Sequence, residues 1–159
     1  MTTWRERSPA QGAMLNPALL ALVTAAAAVE YERAEGGPMP WPLAYLVAPM
    51  VLHRGTREAL PRDTRTHLAN WLAAYPVLHA GFSRRSHALA GVVREGIRFG
   101  LAHSVLTVDV FGRLSGDLDA RSSRGTETGE IINRAGFVGK WLTKIDRPAT
   151  AFVLLGVAP

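Results

Sequence analysis

The chain has 159 residues, the length of one domain, and can bury roughly two-thirds of its unfolded surface around a single core. Apolar residues make up 48% and charged residues 19%, which excludes a disordered, collagenous or low-complexity chain. The lack of cysteine excludes disulfides, thiolate metal sites and cysteine nucleophiles and favours a reducing compartment.

Arg5 and Arg7 precede an apolar run, Ala18 to Val29, in the order of a signal peptide. Glu6 among the arginines, and Asn16-Pro17 as N-cap and first helical position, point instead to an Ala-rich core helix of a cytoplasmic protein. The run is also well short of the ~20 apolar residues that span a bilayer. This helix is expected from Pro17 to about Ala34, stopped by Gly36-Gly37-Pro38. Pro40-Trp41-Pro42 forms an extended entry to a second apolar segment, Leu43 to His53, where Pro49 predicts a kink or break. Asp63 or Thr64 can cap a third helix through Tyr75, with Leu68, Trp71, Leu72 and Tyr75 on one face and Pro76 as its end.

The longest amphipathic helix is expected from Ser83 to about His103. Leu89, Val92, Val93, Ile97 and Phe99 share one broad face, and Arg84, His87, Arg94 and Arg98 the other. Val105 to Phe111 is rich in β-branched residues and reads as a strand ending at Gly112. Leu114 to Thr128, with Asp117 and Asp119, is polar and predicts an exposed loop. A helical pattern resumes from Gly129 and breaks at Arg147-Pro148; Thr150 to Val157 then reads as a strand that pairs with the first. The sum is one α+β domain over residues 1–159, predominantly α-helical with a small antiparallel β-sheet, and compatible with a winged-helix-like arrangement.

Of the 18 basic residues only Lys140 and Lys144 are lysines. Between His53 and Arg98 lie Arg54, Arg57, Arg62, Arg65, Arg84, Arg85, Arg94 and Arg98 against Glu58, Asp63 and Glu95, so this one stretch holds the whole net charge of +5. Two readings stand side by side: a surface facing a polyanion or an acidic partner, and an arginine-rich composition whose side chains form ordinary surface ion pairs. The residues singled out for nucleic-acid or partner binding are Arg84, Arg85, Arg94 and Arg98, with Arg54, Arg57 and Arg65. Trp71 and Trp141, at helical spacing from Tyr75 and Phe137, are core residues first and partner anchors second.

No catalytic constellation stands out. Arg124 to Glu130 precedes a helix but lacks the phosphate-loop lysine and carries two glutamates, so it reads as a polar helix lead-in. The five histidines show no His-Glu-x-x-His or similarly close pair, and His79 and His87 lie across an expected helix break. His53 and His103 read as helix ends, where a cation or donor meets the terminal carbonyls. There is no Gly-x-Ser-x-Gly elbow, and Asp109, Asp117 and Asp119 fall on a strand and a loop rather than as a facing pair. No catalytic residue, metal or cofactor is therefore expected.

Several short motifs in order carry a family resemblance. Asn16-Pro17-Ala18, then Pro42-Leu43-Ala44-Tyr45-Leu46-Val47-Ala48-Pro49-Met50-Val51-Leu52-His53, then Thr56-Arg57-Glu58-Ala59-Leu60-Pro61 resemble the middle component of bacterial three-component ABC systems. Gly81-Phe82 with Arg85, Ala135-Gly136-Phe137-Val138-Gly139-Lys140-Trp141-Leu142 and Phe152-Val153-Leu154-Leu155-Gly156-Val157 are similar as well. The resemblance covers nearly the whole chain, with Leu114 to Thr128 outside it. It implies a small accessory subunit beside an SMC- or Rad50-like coiled-coil ATPase and an effector, often a nuclease, in anti-phage defence of the Lamassu type. In that hetero-oligomer the subunit bridges ATPase and effector, with contact to DNA as a further expectation. Two other functions remain to be weighed. One is a free-standing winged-helix regulator that reads DNA through Thr64 to Tyr75, with Arg65 and His67 at its start; the other is a small enzyme, for which the sequence offers no candidate residues.

Overall fold

A computed structural model describes residues 15–118 and 125–158. The signal-like reading of Arg5, Glu6 and Arg7 lies outside the described residues, as does the centre of the expected loop with Asp119. In chain order the elements are α1 (Pro17–Glu35), β1 (Met39–Pro40), a 3-10 turn (Trp41–Leu43), α2 (Ala44–Leu52), α3 (Arg54–Ala59) and α4 (Leu68–Ala74). There follow α5 (Pro76–Ala102), β2 (Leu106–Val108), β3 (Arg113–Gly116), α6 (Glu127–Leu142) and α7 (Pro148–Leu154).

The Asn16 side chain accepts from the Ala18 N–H at 2.9 Å, Pro17 takes the first helical position, and α1 ends where Gly36 turns left-handed at φ 84°. Leu20, Val23 and the four alanines after Thr24 are buried, because α5, α6 and β3 all lie against this helix. Small residues permit the approach. A Cβ at Gly96 of α5 would collide with Leu20, one at Gly116 of β3 with the backbone of Ala25, and one at Gly139 of α6 with the backbone of Ala27.

The helix α2 runs through Pro49 without the break that is one of the two outcomes expected there. Proline offers no N–H to the carbonyl four residues back, that of Tyr45. The buried hydroxyl of Ser86 on α5 donates to that carbonyl at 3.1 Å, so the missing rung is supplied by another helix.

The third helix begins at Leu68 rather than at Asp63 or Thr64. Asp63 instead accepts from the backbone N–H of Arg65 at 2.9 Å, a local turn that competes with the helix. The carbonyls of this irregular connection find donors from distant helices: Trp71 Nε1 to Ala59 at 2.7 Å, Arg134 Nη2 to Leu60 at 3.0 Å and Trp141 Nε1 to Thr66 at 2.7 Å. The long helix α5 starts at Pro76, well before the expected Ser83, because proline suits a first helical turn as well as it ends a preceding helix.

The strand expected over Val105 to Phe111 is cut at Val108 by Asp109. Its carboxylate accepts from the N–H groups of Phe111 at 2.9 Å and Arg113 at 2.8 Å, and Gly112 sits at φ 73°. The returning strand β3 is central in an antiparallel sheet of order β1-β3-β2, with Met39 opposite Leu114, Thr107 opposite Ser115 and Leu106 opposite Gly116. Leu114, assigned above to an exposed loop, is therefore buried. The strand expected over Thr150 to Val157 is helix α7, with Pro148 in its first turn and Ala151, Phe152 and Leu155 turned inward. A short apolar run satisfies either period, and the place expected for it beside β2 is taken by β3.

The described residues are 68% helical and include a three-stranded antiparallel sheet, an α+β fold that is mostly helical. A hairpin follows the long helix and an earlier short strand completes its sheet, an order compatible with the winged-helix-like expectation.

Candidate functional site

At 100° per residue Arg84, His87, Arg94 and Arg98 fall within about 80° of arc on α5, and all four are exposed. Phe82, Val93, Gly96 and Gly100 pack on the opposite side. Among the described residues Arg84, Arg94 and Arg98 form no ion pair, so their guanidinium forks face solvent and suit bidentate contact with phosphate or carboxylate.

The other four singled-out arginines are differently placed. Arg85 lies one step round the helix toward the packed side; it donates to the Leu78 carbonyl at 2.9 Å and sits 5.8 Å from the centre of the Phe82 ring. Burial, and secondarily Arg84, push its pKa below the usual arginine value. Arg57 is only 3% exposed: Nη1 donates to the Val51 carbonyl at the end of α2 at 2.7 Å, and Nη2 to Glu127 at the start of α6 at 3.1 Å. Arg54 is exposed and paired with Glu58 one turn on at 2.7 Å, which raises its own pKa and lowers that of the glutamate. Arg65 grips Asp63 at 2.6 and 3.1 Å, and these hydrogen bonds hold the Asp63 carboxyl down to about 2. The basic stretch thus separates into an open stripe, two surface pairs and two inward-facing side chains.

Trp71 and Trp141 are 3% and 2% exposed, with ring centres 5.6 Å apart at 89°. Both indole N–H groups are taken by backbone carbonyls. Both lie in the core, the first of the two roles read for them. His53 does end α2, as its C-cap residue, and its ring serves the next helix: Nδ1 accepts from the Thr56 N–H at 3.1 Å and caps the start of α3. His103 does follow the last turn of α5, its ring 4.1 Å from that of Phe99.

Among the described residues no group of three His, Asp or Glu is placed to hold a metal, and no helix is long and apolar enough to cross a membrane. A cleft of about 1020 Å³ between α1, α3 and α6 brings Arg54 and Lys140 together with Glu58, Glu127 and Glu130, so its charges offset one another. The segment considered as a recognition helix shortens to α4, which leaves Arg65 and His67 before its first turn.

Sequence reasoning missed an apolar groove of about 620 Å³ between the 3-10 turn, α5 and α7, lined by Trp41, Tyr45, Phe152 and Val153 and bordered by His87 and Arg94. It was hidden because its α7 wall read as a strand, although Trp41 between two prolines was a signal for an exposed aromatic on a rigid turn.

Fold and surface define a small, mostly helical α+β protein with an arginine stripe along its longest helix. The chain belongs to the family described as "ABC-three component (ABC-3C) system Middle Component 3", whose model matches residues 4–159. The resemblance read from the short motifs is borne out, and as part of a multi-subunit system the chain has partner proteins. No curated protein and no solved structure matches it.

Proposed function

We propose that this middle component is a non-catalytic adaptor that joins an SMC- or Rad50-like ABC ATPase to an effector nuclease in a cytoplasmic anti-phage complex of the Lamassu type. The family match along residues 4–159 carries this reading. The open stripe of Arg84, Arg94 and Arg98 supports it, offering carboxylates of the ATPase, or DNA phosphates held by the complex, a row of bidentate donors. Arg54 and Arg65 flank this use from their surface pairs, while Arg57 and Arg85 shape the surface from within. The free-standing DNA regulator draws less support, since Arg65, its leading base reader, is held by Asp63 and stands outside α4.

Co-expression with the products of the neighbouring genes tests the reading. The chain is expected to co-purify with a coiled-coil ATPase, and Arg94→Glu with Arg98→Glu to weaken assembly or DNA retention while leaving the fold intact. A chain that stays alone, or assembly and DNA retention both indifferent to the double reversal, overturns it.

A further inference from the structure

The groove beside the stripe continues past its own walls. Trp41, 48% exposed, stands edge-on to Tyr45 at 5.8 Å and forms one side; on the other side α7 keeps Phe152 inward and leaves Val153 77% exposed. The Trp41 N–H donates to the Gly112 carbonyl at 3.2 Å, which ties the tip of the β2–β3 hairpin to the groove mouth. At that tip Val110 and Phe111 are 94% and 80% exposed. Trp41 and Val153, exposed on opposite walls of one concavity, with Val110 and Phe111 exposed on the hairpin that Trp41 holds, mark an interaction site rather than ordinary surface scatter.

The α5 border carries arginine: Arg94 lines the groove beside His87, and Arg98 follows one turn on. Among the described residues no carboxylate side chain lines the groove, and Asp109 at the hairpin is occupied by the backbone of its own turn. The volume accommodates the three or so apolar anchors that an amphipathic helix presents at i, i+3 or i+4, and i+7.

We propose that this surface docks an acidic amphipathic helix of another component of the same system, its apolar face in the groove and its carboxylates against Arg94 and Arg98. This rests on the adaptor reading and gives it a contact. Charge selects the occupant: residues 1–14 carry Arg5 and Arg7 against Glu6, and a symmetric second copy would set Arg94 against its own twin. The concave shape favours a convex helix over a flat anionic bilayer.

The test uses the complex co-expressed from the neighbouring genes, with a photo-crosslinking residue at position 153 and, as control, at the exposed Ala73 of α4. Position 153 is expected to crosslink to an acidic helical segment of another component, and Ala73 is not. Val153→Glu and, separately, Arg94→Glu are expected to weaken association roughly tenfold or more with circular dichroism and thermal midpoint unchanged. The Arg94 variant decides the matter if the other misfolds. Crosslinks from position 153 to a second copy, to residues 1–14, to DNA or to added phosphatidylserine vesicles overturn the proposal. So do affinities within twofold of wild type. A complex that assembles without crosslinking at position 153 sinks the groove and leaves the adaptor standing; failure of the unaltered chain to assemble sinks both.

Discussion

The Ser86 hydroxyl donates to the Tyr45 carbonyl across 3.1 Å, at the place where Pro49 removes the N–H that α2 would otherwise supply. Removing that hydroxyl leaves a partly buried acceptor without this donor, which costs about 1 kcal/mol. Ser86→Ala is therefore expected to lower the unfolding free energy by that amount, seen as a lower urea midpoint with the slope of the transition unchanged. A loss within ~0.5 kcal/mol, the range of ordinary surface substitutions, would mean the carbonyl is satisfied in another way.

Arg57 and Glu127 make one ion pair with unequal ends. The guanidinium is 3% exposed and also holds the Val51 carbonyl, whereas the Glu127 side chain is 69% exposed. Arg57→Ala should cost about 1–3 kcal/mol for the stranded carbonyl, and Glu127→Ala less than about 1 kcal/mol because water screens that end. Arg57→Lys should fail to restore stability, since one ammonium cannot serve both acceptors in the same fork. Equal losses from Arg57→Ala and Glu127→Ala in chemical unfolding would contradict this account.

A pH response is built into the cap of α3. Burial, with Arg85 second, pushes the His53 pKa below its ordinary 6.5, so the unfolded chain takes the proton more readily than the folded one. The stabilisation from neutral His53 is then whole above about pH 6.5 and fades as the pH falls toward the folded value. Unfolding free energies at about pH 7.5 and about pH 5.5 should differ more for wild type than for His53→Asn, whose amide caps without titrating. The same pH difference in both proteins would assign the response to another group.

Trp71 and Trp141 should behave as framework. Each phenylalanine substitution removes an indole N–H from a carbonyl of the irregular connection and should cost about 1 kcal/mol. A double-mutant cycle should show coupling of roughly 0.5–1.5 kcal/mol from the edge-on rings. Provided the variants stay folded, partner affinity should be unchanged; a selective loss of binding would return these residues to the interface.

Much of this architecture was legible from neighbours in the chain. Asn16-Pro17 and Gly36 bound α1 because capping and proline geometry act within a single turn, and the arc holding Arg84, Arg94 and Arg98 follows from helical period alone. The family motifs were readable in the same way. Other features needed distant partners: Pro49 ends no helix because Ser86 replaces the missing donor, and Arg54 and Arg57, three residues apart, meet solvent and core respectively. The stretch after Pro148 is helical instead of pairing because its apolar residues fit both periods and β3 is the partner of β2. Conformational preference is set by a residue and its nearest neighbours, whereas burial and the filling of each carbonyl depend on groups brought close only when the chain folds.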